Sequence, residues 1–517
     1  MQTFDYIVIG SGFGGSVSAL RLTQKGYRVA VLEEGRRWSS ESFPQNTWDA
    51  KNYLWFPRLG CTGIQRVDLL DHALVVSGAG VGGGSLVYGN TLIRPLDSFF
   101  QRQEIARLGG KETLLPFYEE AERMMGVVDN PRLFEPDHLL KRTAETYGRG
   151  DTFRPSPVGV CFAEPGQEVE DPYFQGRGPR RKGCTFCGGC FVGCRIGAKN
   201  SLDKNYLYLA ERAGAHVLSQ TKVTSIRPIG VDGAQGYRLE TQSTPGKAGT
   251  MVPYRAKGVI VAAGVLGTAK LLLHCKKHGF LPRLSHRLGH DVRTNSEVII
   301  GVRSRRDVDY SQGIAASSSI FIDEHTQIQA DRYPAGSDTM ALLTTLLVDG
   351  GGRIPRWLRL AGGLLRHPRD LPHIVWPKNF ATRSMILVVM QDYESSLRLV
   401  SKRQKLRSEV MGNGNEAYIP IANDFARRLA KQMDGVPLSS LSEVLLNRPA
   451  TAHILGGCIM GKSPDEGVID DTQKVFGYRN LMICDGSVVP ANLGVNPALS
   501  ILALSERAMS LIPPKAT

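Results

Sequence analysis

The first apolar run of the chain, Tyr6-Ile-Val-Ile9, has no polar alternation and stops at Gly10. Such a run predicts a parallel strand buried on both faces. Between residues 16 and 25 the apolar positions Val17, Leu20 and Leu22 fall at helical spacing, and residues 28–32 return to a strand. Together they predict a βαβ unit. Further on, the pattern predicts helices over 114–125, 200–213 and 267–274. It predicts strands over 216–226, 237–241 and 251–263. Residues 295–450 change character and read as strands, 384–390 among them. The C-terminal segment returns to strand, turn and helix: 481–484, then Asp485-Gly-Ser, then 497–511. Residues 40–75 read as irregular. Residues 150–182, rich in Pro, Gly and charge, are expected to run over the surface.

This order predicts an α/β fold. At 517 residues the chain is long enough for two domains. The expected division is discontinuous: a dinucleotide-binding domain from 1–40, 76–95, 196–300 and 450–517, and a substrate-binding domain from 41–75, 96–195 and 301–449. The net charge of +14 suits anionic partners or solubility alone. No basic run is interleaved with stacking aromatics, which argues against nucleic acid. Nine cysteines, four of them clustered, do not resemble a secreted disulfide framework. With no signal peptide and no apolar stretch of about 18 residues, the chain is expected to be cytoplasmic.

The 57 glycines fall in dense clusters. Gly10-Ser-Gly12-Phe13-Gly14-Gly15 follows the first strand and opens the first helix. Gly10 allows the tight turn, Gly12 lets backbone approach a pyrophosphate, and Gly15 lets the helix pack on the strand. Phosphates would sit at the helix N-terminus. Glu33 ends the second strand, placed to accept from ribose hydroxyls. A second glycine-rich loop, Ser77-Gly-Ala-Gly-Val-Gly-Gly-Gly84-Ser-Leu-Val-Tyr-Gly89-Asn90, has no purpose in a simple NAD dehydrogenase.

These two loops, with Asp485-Gly486-Ser and Gly494-Val-Asn496-Pro, resemble the glucose–methanol–choline (GMC) flavoprotein oxidoreductases, and within them the cholesterol oxidase branch. The resemblance covers the cofactor half well and residues 300–450 poorly. It implies a Rossmann-like FAD domain beside a substrate domain built largely on an antiparallel sheet. It implies FAD lined by Phe13, Gly14, Glu33, Gly84, Gly89, Val223, Gly486 and Ala498. Residues 77–91 contain no histidine, so the FAD is expected to be non-covalent. Tyr88 and Thr91 stand where sterol oxidases carry Asn and Met.

The chemistry is assigned to His453 and Asn496. Oxidising an alcohol requires loss of the hydroxyl proton while hydride leaves carbon. An imidazole can take the proton, and an amide can orient the oxygen. The resemblance matches His453 and Asn496 to those two family positions. The position of the glutamate that moves a sterol double bond falls near Ala381 or Thr382, with Glu297 and Glu394 as substitutes. The substrate expected is a hydrophobic secondary alcohol of 3β-hydroxysteroid type. A long-chain fatty alcohol, or an electron-transfer role through FAD and an iron–sulfur centre, are the alternatives.

Cys184, Cys187, Cys190 and Cys194 lie within eleven residues at ferredoxin-like spacing. The spacing admits a [4Fe–4S] cluster, a zinc site or plain buried thiols. In two-cluster ferredoxins the fourth cysteine serves the other cluster, so Cys161 is a candidate remote ligand. Finally, residues 353–366 mix arginine with Trp and Leu. A basic amphipathic helix of this kind suits peripheral contact with an anionic membrane, and equally a surface helix packed on the protein's own core.

Overall fold

The computed structural model describes residues 1–244, 251–403, 405–412 and 417–516. Two seven-stranded sheets organise it. The first carries Gln2–Ile9 at its centre, parallel to Val29–Leu32 on one side and to Met251–Val261 on the other. Ile7, Val8, Val31 and Val259 are fully buried, as an apolar run covered on both faces demands. Leu481–Ile483 pairs in parallel with Met251–Val261, so the C-terminal segment returns to the N-terminal sheet.

Helix Phe13–Gln24 packs against helix Ala498–Ser510, which also packs on Gly110–Met125. A buried ion pair ties them: Arg21 Nε donates to Glu506 Oε2 at 2.7 Å, and Tyr206 Oη donates to the other oxygen of that carboxylate at 2.7 Å. Removing Arg21 would leave the buried Glu506 carboxylate without its cation, whereas Arg21 also pairs with Glu120.

The second sheet is antiparallel throughout. Its order is Thr344–Leu346, Gly435–Ser440, Val298–Ser304, Ser384–Gln391, Thr326–Asp331, Ala316–Phe321 and Arg154–Pro155. The α/β class and the antiparallel second sheet are therefore as the sequence indicated.

Several elements differ from the reading of the sequence. The strand expected over 216–226 is two strands, His216–Leu218 and Thr221–Pro228. Gln220 takes φ of +54° between them, and the two strands end the sheet order on opposite sides. The helix expected over 200–213 is a 3-10 turn, Leu202–Lys204, followed by Tyr206–Arg212. Within 40–75, Gln65–Leu69 pairs with Leu74–Gly78 as an antiparallel hairpin. Within 150–182, Arg181 is only 2% exposed. No described helix is long and apolar enough to cross a membrane.

Candidate active site

A cavity of about 840 Å3 is lined by residues of both sheets. At one end the glycine turn opens into it. Gly12 caps helix Phe13–Gln24, and a Cβ built there would meet no protein atom within 4 Å. Its neighbours are glycines for the opposite reason. Gly10 has φ of +97°, and a Cβ on Gly14 would lie 1.8 Å from the carbonyl oxygen of Cys484. Gly15 does not line the cavity; its Cβ would fall 2.1 Å from Gly10 O, so it serves helix–strand packing.

Glu33 lines the cavity with its oxygens tied back to the turn. Oε2 accepts from Ser11 N at 3.0 Å and Ser11 Oγ at 2.7 Å, and Oε1 accepts from Gly35 N at 2.9 Å. Burial pushes this carboxyl's pKa up. Gly84, Gly89, Val223, Gly486 and Ala498 complete this end of the lining. A helix N-terminus with free N–H groups, an adjacent acid and two further close-approach backbone turns fit a dinucleotide such as FAD.

At the other end stand His453 and Asn496. Asn496 Nδ2 is 3.3 Å from His453 Nε2 and 3.3 Å from Gln329 Oε1. Gln329 Nε2 donates to Thr91 Oγ1 at 3.1 Å. On the far side of the imidazole, Nδ1 lies 2.9 Å from Glu297 Oε2. That same oxygen accepts from Thr451 Oγ1 at 2.8 Å and Ala452 N at 3.2 Å. As a carboxylate, Glu297 can only accept, which places the imidazole proton on Nδ1 and leaves the Nε2 lone pair on the Asn496 side. Asn496 Oδ1 is buried without a hydrogen-bond partner among the described residues.

Sequence reasoning missed Gln329 and the tether from Glu297 to His453. No local pattern joins residues 156 positions apart. It also missed Asp331, two residues beyond Gln329 on the same strand, hence on the same face. Asp331 lines the cavity, and its Oδ1 has no hydrogen-bond partner among the described residues. Burial, with a smaller contribution from Glu297, holds its pKa far above the usual carboxylate range. Of the positions considered for moving a double bond, Ala381 and Thr382 do not line the cavity. Neither does Glu394, which is 57% exposed and paired with Arg102 and Arg293. Glu297 does.

Beyond this polar group the walls are apolar, with Phe191, Ile299, Ile386 and Val388, and end at Met340 and Leu343. Leu343 is also 53% exposed, so the apolar wall continues to the surface. Nearby in sequence, helix Arg356–Arg366 exposes Trp357, Leu358 and Leu365, while Arg356 and Leu360 are buried. Arg356 donates to the carbonyls of Ala417, Glu443 and Val348. The helix therefore packs on the protein along one face and presents Trp and Leu on the other.

All four cysteines of the 184–194 run are free. Among the described residues no three His, Cys, Asp or Glu side chains stand close enough to share one metal ion. Neither the [4Fe–4S] reading nor the zinc reading of Cys184, Cys187, Cys190 and Cys194 finds support in that geometry. Cys161 is buried, but it does not line the small cavity that the four cysteines share.

Three family models match: GMC oxidoreductase over residues 359–505, GMC oxidoreductase over 178–280, and an NAD(P)-binding Rossmann-like domain over 8–53. The chain is 44% identical to a cholesterol oxidase of Acinetobacter baumannii, covering 99% of this chain and 95% of that protein. It is 45% identical to a cholesterol oxidase of Mycobacterium tuberculosis, covering 99% and 91%. Among solved structures it is similar to pyridoxine 4-oxidase, with a TM-score of 0.63 at 14% identity over 98% of each chain. Identity of this extent over the whole length settles the matter that the glycine turns raised: the chain belongs to the GMC oxidoreductases.

Proposed function

We propose that this protein oxidises the hydroxyl of a hydrophobic secondary alcohol, a 3β-hydroxysterol, with FAD as its non-covalent cofactor. The reading rests on one observation above the rest: the hydrogen-bonded series Glu297–His453–Asn496–Gln329 lines the same cavity as the glycine turns and the apolar side chains of Phe191, Ile299, Ile386 and Val388. When bound, FAD supplies the hydride acceptor. The turn at Gly10–Gly14 and Glu33 would hold its phosphates and ribose, and Gly84, Gly89, Val223, Gly486 and Ala498 would line the rest.

His453 takes the hydroxyl proton at Nε2. Glu297 keeps the Nδ1 proton in place and offsets the positive charge that the imidazole gains. The Asn496 amide orients the alcohol oxygen, and Gln329 orients that amide. The apolar walls exclude water and accept a rigid hydrocarbon frame. Residues 1–40, 76–95, 196–300 and 450–517 form the cofactor half in this reading, and the remainder the substrate half.

The substrate would enter from a lipid surface. The exposed face of Trp357, Leu358 and Leu365 is accompanied by exposed Arg353, Arg366 and Arg369. That combination suits an anionic bilayer.

The test is anaerobic mixing of purified protein with a panel of sterols and long-chain primary alcohols, watching the flavin absorbance. Sterols with a 3β-hydroxyl should bleach it within seconds. Bleaching by fatty alcohols alone would overturn the sterol assignment. Bleaching by no alcohol, with reduction by a protein donor intact, would favour an electron-transfer role.

A further inference from the structure

The large cavity reaches the surface in two places, and the two differ in chemistry. One is apolar and ends at Met340 and the half-exposed Leu343. The other lies along helix Gly264–Lys277. That helix starts beside the glycine turn: a Cβ on Gly10 would lie 2.3 Å from the carbonyl oxygen of Ala262 and 3.0 Å from Cα of Ala263. From there one helical face, Gly264, Gly267, Lys270, Leu271, His274 and Lys277, lines the cavity into the last turn. The 14 residues span about 21 Å.

Along this face the lining comes out to solvent. Lys270, His274, Lys277 and His278 are exposed although they line the cavity. The helix packs against strands Thr221–Pro228 and Ser396–Lys402, which add Lys222 and Ser401 to the same lining.

This rim is cationic, and its charge is only partly offset. Lys222 pairs with Glu34 at 3.1 Å, but Glu34 also pairs with Arg66 at 2.6 Å. Lys270 and Lys277 have no carboxylate partner among the described residues. Partial burial first, then Lys222 and Arg66, draw the pKa of Lys270 down. Partial burial first, then His278 and Lys277, do the same to His274. Each of these groups therefore stands in the positive field of its neighbours. The helix dipole favours a cation in the last turn, which accounts for Lys277. Lys270 lies two turns earlier, where that effect has faded. A ridge of like charge at the mouth of a cavity focuses the field and draws in anions.

Of the two molecules this cavity is read as taking, only FAD is an anion, through its pyrophosphate. Val223, beside Lys222 on its strand, is among the residues read as FAD lining. We propose that FAD enters and leaves by the cationic mouth along helix Gly264–Lys277, steered by Lys270 and Lys277, while the hydrophobic alcohol uses the apolar mouth at Leu343. The proposal rests on the FAD reading and not on which alcohol is oxidised. It gives cofactor and substrate separate routes into one cavity.

The test measures the rate of FAD association with the full-length chain, freed of flavin and shown to recover its visible spectrum when FAD is added back. Quenching of flavin fluorescence in a stopped-flow instrument reports the rate. It is recorded at about 0.01 M and about 0.15 M ionic strength, where the Debye length is about 30 Å and about 8 Å. The parent rate should fall at least about tenfold between the two, within the range of electrostatic steering. The double variant Lys270→Glu with Lys277→Glu should associate at least about tenfold more slowly at low salt. Its rate should be nearly independent of salt, and its FAD release should stay within about twofold of the parent, because steering acts on encounter. The single variant Arg366→Glu, altered on the helix near the apolar mouth, should associate like the parent. Equal association rates for the parent and the double variant would overturn the proposal. So would slowing by Arg366→Glu alone, which would put entry at the other mouth. No quenching by the parent at any FAD concentration would bring down the cofactor reading itself, and this route with it.

Discussion

His453 Nδ1 lies 2.9 Å from Oε2 of Glu297, a carboxylate with no exposed side-chain surface. The pair fixes which imidazole nitrogen faces the cavity. A glutamine at 297 can present an N–H to Nδ1 and so stabilise the wrong tautomer. In a Ser-His-Asp triad the equivalent change costs about 10^4 in turnover. Here the Glu297→Gln variant should lose at least about 100-fold in the rate of flavin reduction, with KM within about threefold of the parent. Stopped-flow absorbance would measure it. A variant as fast as the parent would remove Glu297 from the chemistry.

Asn496 is placed by Gln329 on one side and faces His453 on the other, both at 3.3 Å. Loss of one oriented donor at a reacting oxygen costs about 10^2–10^3 in kcat. Asn496→Ala should show a loss of that size, whereas Gln329→Ala, one step removed, should lose less. Retained FAD content in both variants, read from the visible spectrum, would separate chemistry from assembly.

Legibility in the sequence followed the range of the forces involved. The glycine turn was readable because a φ of +97° at Gly10 and a backbone approach at Gly14 leave only glycine. The central strands were readable because burial on both faces writes an apolar run. His453 and Asn496 were readable through motif words around them. Gln329 and Asp331 were not: their strand is polar in sequence, Thr-Gln-Ile-Gln-Ala-Asp, yet all six residues are buried. Burial of polar side chains is decided by the cavity they meet, and periodicity carries no trace of it. Glu297 was noticed as an acid, but its partner lies far along the chain and its role belonged to tertiary contact alone. The single strand expected over 216–226 failed for a local reason, since Gln220 adopts a left-handed conformation that its residue type does not announce.

Asp331 gives a prediction in pH. Burial raises its pKa in the folded chain, so the folded form keeps a proton that the unfolded form releases above its ordinary value of about 3.9. Proton binding then favours the folded state, and that stability declines as pH rises above this value. Asp331→Asn cannot ionise and escapes the decline. Relative to the parent, the variant should melt progressively higher from pH 5 to pH 8. Parallel melting curves for the two proteins, recorded by circular dichroism, would contradict the buried neutral acid.

The last prediction concerns the exposed rim. Trp357 and Leu365 are 53% and 83% exposed on a helix whose other face is packed, and Met340 and Leu343 lead from the surface to the cavity wall. Burying each of these side chains in a lipid interface would contribute about 1.5–3 kcal/mol. Each nearby arginine would add about 1 kcal/mol on an anionic surface. Replacing both by serine should therefore weaken sedimentation with phosphatidylserine vesicles by at least about tenfold. Turnover of sterol presented in those vesicles should fall with it. Turnover of sterol dispersed in detergent should not, because neither residue lines the cavity. Raising the salt should weaken vesicle binding of the parent protein, since exposed charges are screened beyond about 8–10 Å. Equal loss in vesicles and in detergent would place the defect inside the protein and remove the membrane from the account.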